Sequence, residues 1–296
     1  MLNYPFMQVD AFTTRPLAGN PCAILFEADD LSDNQMLAIA KEMNLSETSF
    51  VMRSETADFR ARYFTPAEEI PLAGHPTIAT AFALVESGRL ALTGHCTPFT
   101  LELQVGPIQI EIFAEEGTIE RIVMAQKKPQ FMSRHDPALV MPMFGLTADD
   151  ALPGVPLQTV SAGTPQLMIP LQDLDALRQA RLDGAAYETY RQQSDFFSPH
   201  LFCLQGVTDQ GDTFARHFGV PPDTMEDPFT GSATGGMGAY LWHYGLLEKP
   251  TFVAEQGHWL DRPGHALVEI IGSRKDIETV KVGGTAVTII RGTMEI

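Results

Sequence analysis

The sequence predicts an α+β protein of two homologous domains, and three observations carry that expectation. Ala61-Arg62-Tyr63-Phe64 returns as Ala215-Arg216-His217-Phe218. Each copy is followed, after prolines and acids, by a small-residue turn: Gly74-His75-Pro76-Thr77 in the first, Thr230-Gly231-Ser232-Ala233-Thr234-Gly235 in the second. Each turn then opens an apolar segment of helical length, Ile78 to Leu84 and Met237 to Leu241, and the order of strands and helices around it repeats. A length of 296 residues suffices for two domains with ample cores. The polar Glu115-Glu116-Gly117 marks a boundary, giving domains 1–117 and 118–296, with the last strand, 284–296, a candidate to cross back onto the first.

Taken in order, Phe6 to Phe12 alternates as a strand, and the turn formers Pro16, Gly19, Asn20 and Pro21 separate it from a second, Cys22 to Phe26. Ser32-Asp33-Asn34-Gln35 fits a capping box, and Met36, Ile39, Ala40 and Met43 supply one apolar helical face that ends near Asn44. Leu45 to Met52 reads as a strand with Glu47 at the junction, and Phe59 to Phe64 as another. Thr65 to Leu72 is a loop, Thr77 to Glu86 a helix closed by Gly88, and Phe99 to Val105 and Gln109 to Phe113 are strands split by Gly106-Pro107. The second half repeats the cycle with a strand at Ile119 to Ala125, a Pro-rich passage, Thr159 to Ile169 as strand and turn, a helix at Leu174 to Arg181 and a strand around Phe202. At least three strands close the chain, at Phe252 to Glu255, Ala266 to Ile271 and Ala286 to Ile290.

Composition narrows the partners. With 20 Lys plus Arg against 37 Asp plus Glu the net charge is −17, and no basic stripe offsets it, so nucleic acid and anionic membranes are excluded as expected partners. A small anionic substrate remains compatible, because a few local donors decide binding inside a pocket. Cys22, Cys96 and Cys203 lack Cys-x-x-Cys spacing and leave an odd thiol, which indicates a reduced, cytoplasmic chain. No stretch has the length and apolarity of a membrane span.

The candidate chemistry sits at the two turns. Glycines there let backbone N–H groups approach a ligand, and a helix N-terminus presents unpaired donors and partial positive charge to an anion. Gly74, Gly231, Ser232 and Ala233 are therefore expected to bind a carboxylate-bearing molecule in a pocket formed by two such ends. Glu47, opening an apolar strand among Ser46, Thr48 and Ser49, is either a solvated strand end or a partly buried proton-transfer group. His75 either happens to sit in a helix-start turn or relays a proton at the pocket mouth; Asp227 either caps a turn or holds a substrate amine. Asn20, Arg62 and Arg216 read as structural residues that tie loops down. No His-Glu-x-x-His or other paired ligand spacing is present, and neither a phosphate-cradling Gly-Lys-Ser nor a dinucleotide fingerprint occurs, so no metal and no cofactor are expected.

Asp10-Ala11-Phe12, Gly19-Asn20-Pro21, Glu42 to Thr48, Phe64-Thr65-Pro66, Gly74-His75-Pro76, Glu226 to Ala233 and Glu255-Gln256-Gly257 resemble, in order and across nearly the whole chain, the PhzF-like (phenazine biosynthesis-like) isomerase/epimerase family. The resemblance implies the fold of the diaminopimelate epimerases: two pseudo-symmetric domains, each a barrel-like, mostly antiparallel sheet around a central helix, with the active site in the cleft between them. It implies that Glu47 is the acid/base carboxylate, that His75, Asp227 and Ser232 line the pocket, and that the protein is a homodimer. In the phenazine enzyme a proton leaves one ring carbon of a dihydro-hydroxyanthranilate and returns to another. The epimerase cousins use a thiol on each facing turn; neither turn here carries Cys, which favours a single carboxylate over a two-thiol racemisation. The expected function is thus a cofactor-independent isomerase or epimerase acting on a small carboxylate-bearing substrate. An amino-acid epimerase/racemase, or a small-acid binding protein that kept the pocket without the chemistry, are the alternatives.

Overall fold

The computed structural model describes residues 2–219, 223 and 225–296. The chain divides into two contact-dense units. Unit 1 comprises residues 1–125, 261–264 and 283–296, and unit 2 comprises 126–260 and 265–282. The strand that the sequence places at Ile119 to Ala125, at the start of the second half, spans Thr118–Ala125 and is counted in unit 1, where it pairs antiparallel with Gly106–Glu115.

Unit 1 opens with β1 (Asn3–Ala11) and β2 (Asn20–Leu25), an antiparallel pair closed at Ala11 and Asn20. Helix α1 (Asp33–Met43) starts from the Ser32 capping box and stops at Asn44, whose left-handed φ of 50° ends the hydrogen-bond run. The chain continues through β3 (Glu47–Met52), parallel to β2, and β4 (Phe59–Phe64), antiparallel to β3. The two-residue β5 (Glu69–Ile70) lies against β4 inside the segment expected to be only loop. Helix α2 (Gly74–Glu86) begins three residues earlier than the apolar run suggests, because Gly74, His75 and Pro76 form its first turn. Then come β6 (Cys96–Leu103), β7 (Gly106–Glu115) and β8 (Thr118–Ala125).

Unit 2 runs through β9 (Gln130–His135), the short helix α3 (Pro137–Val140), β10 (Leu157–Ser161), β11 (Pro165–Pro170), α4 (Leu174–Gln179), α5 (Gly184–Arg191), β12 (Ser198–Cys203), β13 (Thr213–Phe218) and β14 (Glu226–Asp227). Helix α6 (Gly231–His243) and strands β15 (Thr251–Gln256), β16 (Gly264–Ser273) and β17 (Asp276–Gly284) follow. The last strand, β18 (Ala286–Glu295), pairs antiparallel with β1 along its whole length and thereby belongs to unit 1.

The units share one connectivity. In unit 1, β2 and β3 are parallel across α1, β4 is antiparallel to β3, β5 tacks onto β4, and β6 returns parallel to β4 across α2. In unit 2, β11 and β12 are parallel across α4 and α5, β13 is antiparallel to β12, β14 tacks onto β13, and β15 returns parallel to β13 across α6.

A helix that is apolar all round must be enclosed. Every residue of α2 from Gly74 to Leu84 is buried, and the helix packs on β1, β2, β3, β8 and β18, so the sheet of unit 1 curls round it. Helix α6 is enclosed likewise by β10, β11 and β15 to β17, and its glycines make that possible. A Cβ on Gly236 would stand 2.7 Å from the Met168 methyl, one on Gly238 3.0 Å from Val268, and one on Gly235 2.0 Å from Gln126 Oε1. These three glycines serve close packing against strands rather than approach to a ligand.

The repeated arginines are structural, as their strand positions indicate. Arg62 holds Glu69 with Nε–Oε1 2.8 Å and Nη2–Oε2 2.5 Å, and Arg216 holds Glu226 at 2.8 and 2.7 Å. Each bidentate pair fixes the two-residue strand that leads into the central helix.

Candidate active site

Register carries the repeat down to single residues. Glu-x-Pro-x-x-Gly runs Glu69-Ile70-Pro71-Leu72-Ala73-Gly74 in unit 1 and Glu226-Asp227-Pro228-Phe229-Thr230-Gly231 in unit 2. Ser49 pairs with Tyr63 across β3 and β4, and His200 pairs with His217 across β12 and β13. Glu47 opposite Cys22 therefore corresponds to Ser198 opposite Gln166. The folds match, but the chemistry does not. Only the first unit has a carboxylate at this strand start; Ser198 Oγ instead donates to Gln166 Oε1 at 3.4 Å.

In unit 1, β3 starts at Glu47 and α2 starts one residue before His75, and this brings the two side chains together. Glu47 Oε2 lies 3.2 Å from His75 Nδ1, with the Glu47 side chain 16% and the His75 side chain 3% exposed. Glu47 is therefore neither a solvated strand end nor fully enclosed. Of its hydroxyl neighbours, Ser49 turns the other way: its Oγ bonds Thr80 Oγ1 at 2.7 Å. His75 is not in a loose turn. It is locked on the first turn of a buried helix, and burial holds its imidazole down to about 3, opposed by the Pro21 carbonyl, so the ring is neutral at physiological pH. Asn20, read from sequence as a turn residue, is wholly buried and places Nδ2 3.0 Å from His75 Nδ1.

Cys22, paired opposite Glu47 on β2, is a poor proton acceptor. Burial, and secondarily the charge of Glu47, push its pKa well above the ordinary value, so it stays protonated.

In unit 2, Gly231, Ser232 and Ala233 form the first turn of α6, with Gly231 and Ala233 buried and Ser232 half-buried. Asp227 is tied to the residue that precedes α6. Its Oδ2 accepts the Thr230 hydroxyl at 2.5 Å, which occupies the one side chain placed to cap α6. Helix α2 starts after Ala73, which has no side-chain acceptor, so neither N-cap residue caps its own helix with a side chain. Gln256 completes the second arrangement: its Nε2 donates to the Asp227 carbonyl at 2.7 Å and to Thr230 Oγ1 at 3.2 Å, and its Oε1 accepts from Thr230 N–H at 3.1 Å. By register, Asp227, Thr230 and Gln256 stand where unit 1 has Ile70, Ala73 and Leu103. Gln256 was visible in the sequence only as part of Glu255-Gln256-Gly257, one of the segments that carry the family resemblance, with no sign of its bonds to Asp227 and Thr230.

The sequence matches the family described as phenazine biosynthesis-like protein over residues 9–292. An uncharacterized isomerase, YfhB, of Bacillus subtilis is 34% identical over 283 residues, covering 95% of each chain. The trans-2,3-dihydro-3-hydroxyanthranilate isomerase of Pseudomonas fluorescens is 32% identical, covering 98% of each. The crystal structure of a Bacillus anthracis phenazine biosynthesis protein of the PhzF family superimposes with a TM-score of 0.88 at 31% identity, covering 100% of both chains. Full-length agreement in sequence and in fold shows that the chain belongs to the PhzF-like family of isomerases and epimerases.

Proposed function

We propose that the protein is a cofactor-independent isomerase that moves a proton on a small carboxylate-bearing substrate, amino-acid-like or cyclic, with one carboxylate as acid and base. The observation that carries this reading is the largely buried Glu47 held 3.2 Å from a buried, neutral His75, with no acidic counterpart at Ser198 in the second repeat. Glu47 takes a proton from an acidic carbon: a C–H bond breaks, an O–H bond forms, and the electron pair stays on the substrate, delocalised toward its carbonyl or double bond. Return of that proton to another carbon gives an isomer; its return to the same carbon from the other side gives an epimer. A single base suits the first outcome better, because one side chain reaches one face.

Asp227 and Ser232 of unit 2 supply the groups to hold the substrate's amino and carboxylate ends, and Gly74, Gly231 and Ala233 keep the helix starts open for them. The Pseudomonas fluorescens relative is named for a substrate carrying both an amino and a carboxyl group, which fits that division of labour.

The test is incubation in D₂O with a panel of amino and cyclic acids, trans-2,3-dihydro-3-hydroxyanthranilate included, read by mass spectrometry and ultraviolet absorbance. Deuterium enters the substrate of the wild-type protein, and Glu47→Gln loses ~10²–10⁴-fold of that rate. Wild-type exchange in Glu47→Gln removes Glu47 from the mechanism. Ligand-induced thermal stabilisation with no exchange across the panel makes the protein a binder instead.

A further inference from the structure

We propose that Asn20 is a positioning residue that sets the tautomer of His75, keeping the ring proton on Nε2 and the Nδ1 lone pair turned toward Glu47. The proposal rests on the proton-transfer reading above for its purpose, though not for its test.

The geometry is confined to unit 1. Three polar groups surround the His75 ring: Asn20 Nδ2 lies 3.0 Å and Glu47 Oε2 3.2 Å from Nδ1, and the Pro21 carbonyl is also in reach of the ring. An amide nitrogen only donates, so the Nδ1 it faces accepts, and a neutral ring then carries its hydrogen on Nε2. Asn20 is built to hold this position. It is the last pair of the β1–β2 ladder, opposite Ala11, and is fully buried. The preceding Gly19 is anchored on both sides, its N–H donating to the Pro263 carbonyl at 3.1 Å and its carbonyl accepting from Arg262 Nε at 2.9 Å. Gly19 has φ 57°, and a Cβ there would stand 2.1 Å from the Ala11 carbonyl oxygen, so the backbone that delivers Asn20 tolerates no side chain. Arg262 also pairs with the buried Asp10 at 2.7 Å, tying the strap 261–264 to the same turn.

The consequence is chemical. With Nδ1 an acceptor, Glu47 Oε2 can bond it only when that oxygen carries a proton. A proton that Glu47 has taken from a substrate carbon is then held as O–H···Nδ1 until it is returned. No charge forms on the buried imidazole at any point. The opposite tautomer would hold Glu47 as a carboxylate through Nδ1–H and bind the base in its unreacted form.

Ring-¹⁵N-labelled protein, free of any substrate, decides this by long-range ¹H–¹⁵N correlation at pH 7, with the His75 signals assigned by their loss in His75→Gln. The expected wild-type pattern is Nδ1 in the unprotonated range and Nε2 in the protonated range. Asn20→Asp places an acceptor on Nδ1, and Asn20→Leu removes the donor and leaves Nδ1 facing Glu47; both move the proton to Nδ1, while the other histidine signals stay put. A wild-type His75 that already carries its proton on Nδ1 overturns the proposal, as does an unchanged Nε2–H pattern in whichever of these variants folds. A panel of acids that shows no exchange, alongside the expected spectra, sinks the isomerase reading and leaves the assignment of Asn20 standing.

Discussion

The buried histidine pair of unit 2 makes stability at mild acidity measurable and removable. His200 and His217 are directly opposed on β12 and β13, with Nδ1 atoms 3.3 Å apart and exposures of 0% and 6%. One proton at most fits between the two Nδ1 atoms. Burial lowers His217 to about 3 and His200 well below its ordinary 6.5, the neighbouring imidazole adding to the second shift. These are bases whose folded values are depressed, so the unfolded chain binds more protons as pH falls below about 6.5. Stability from the pair is complete above that pH and drains away toward 3. From pH 7 to pH 5 each group costs about 2 kcal/mol by this linkage, or about 4 kcal/mol for the two. Unit 1 shows what removes the cost, since the same register positions there hold Ser49 and Tyr63. The double variant His200→Ser/His217→Tyr transplants that solution. Urea unfolding at pH 7 and pH 5 is the assay, and the variant should lose about 4 kcal/mol less than wild type between the two. An identical pH dependence in both proteins refutes the argument.

Other side chains make separate predictions. Gly235→Ala drives a methyl against Gln126 Oε1 and disturbs the 2.9 Å bond from Gln126 Nε2 to the Gly231 carbonyl, for a loss of roughly 2–4 kcal/mol by denaturant titration. Arg216→Lys forfeits the fork on Glu226 and the bonds from Nη1 to the Leu177 and Ala180 carbonyls at 3.0 and 2.8 Å, costing roughly 2–3 kcal/mol, seen as a lower urea midpoint. Gln256→Leu installs the residue type of its counterpart Leu103 and strips three bonds from Asp227 and Thr230. The expected loss is about 2–3 kcal/mol, and amide exchange in the first turn of α6 should rise; unchanged exchange there would show that Gln256 does not hold the turn.

Local physics was legible in the sequence. The Ser32-Gln35 capping box places α1 to the residue, the alternation of β16 shows in its buried and exposed faces, and the apolar stretches after Gly74 and Gly231 are the enclosed helices. The repeat was legible too, because Arg-x-Phe and Glu-x-Pro-x-x-Gly serve the same bidentate pair and helix start twice. At Glu47 the sequence offered two readings, a solvated strand end or a partly buried proton-transfer group, and the acid/base role came from the family resemblance rather than from the residue's position. What the sequence left open depends on residues far apart in the chain. Asn20 meets His75 across 55 positions, and Gln126 reaches Gly231 across 105, so neither contact leaves a local period or spacing. Helix α5 carries too few apolar residues for a strong pattern and forms because Asp183 caps it and Tyr187 packs into the core of unit 2. The partner of β18 was undecidable from its own residues, since any unpaired strand edge offers the same row of N–H and C=O groups. Only the folded chain, which leaves β1 open on that side, determines where those bonds are made.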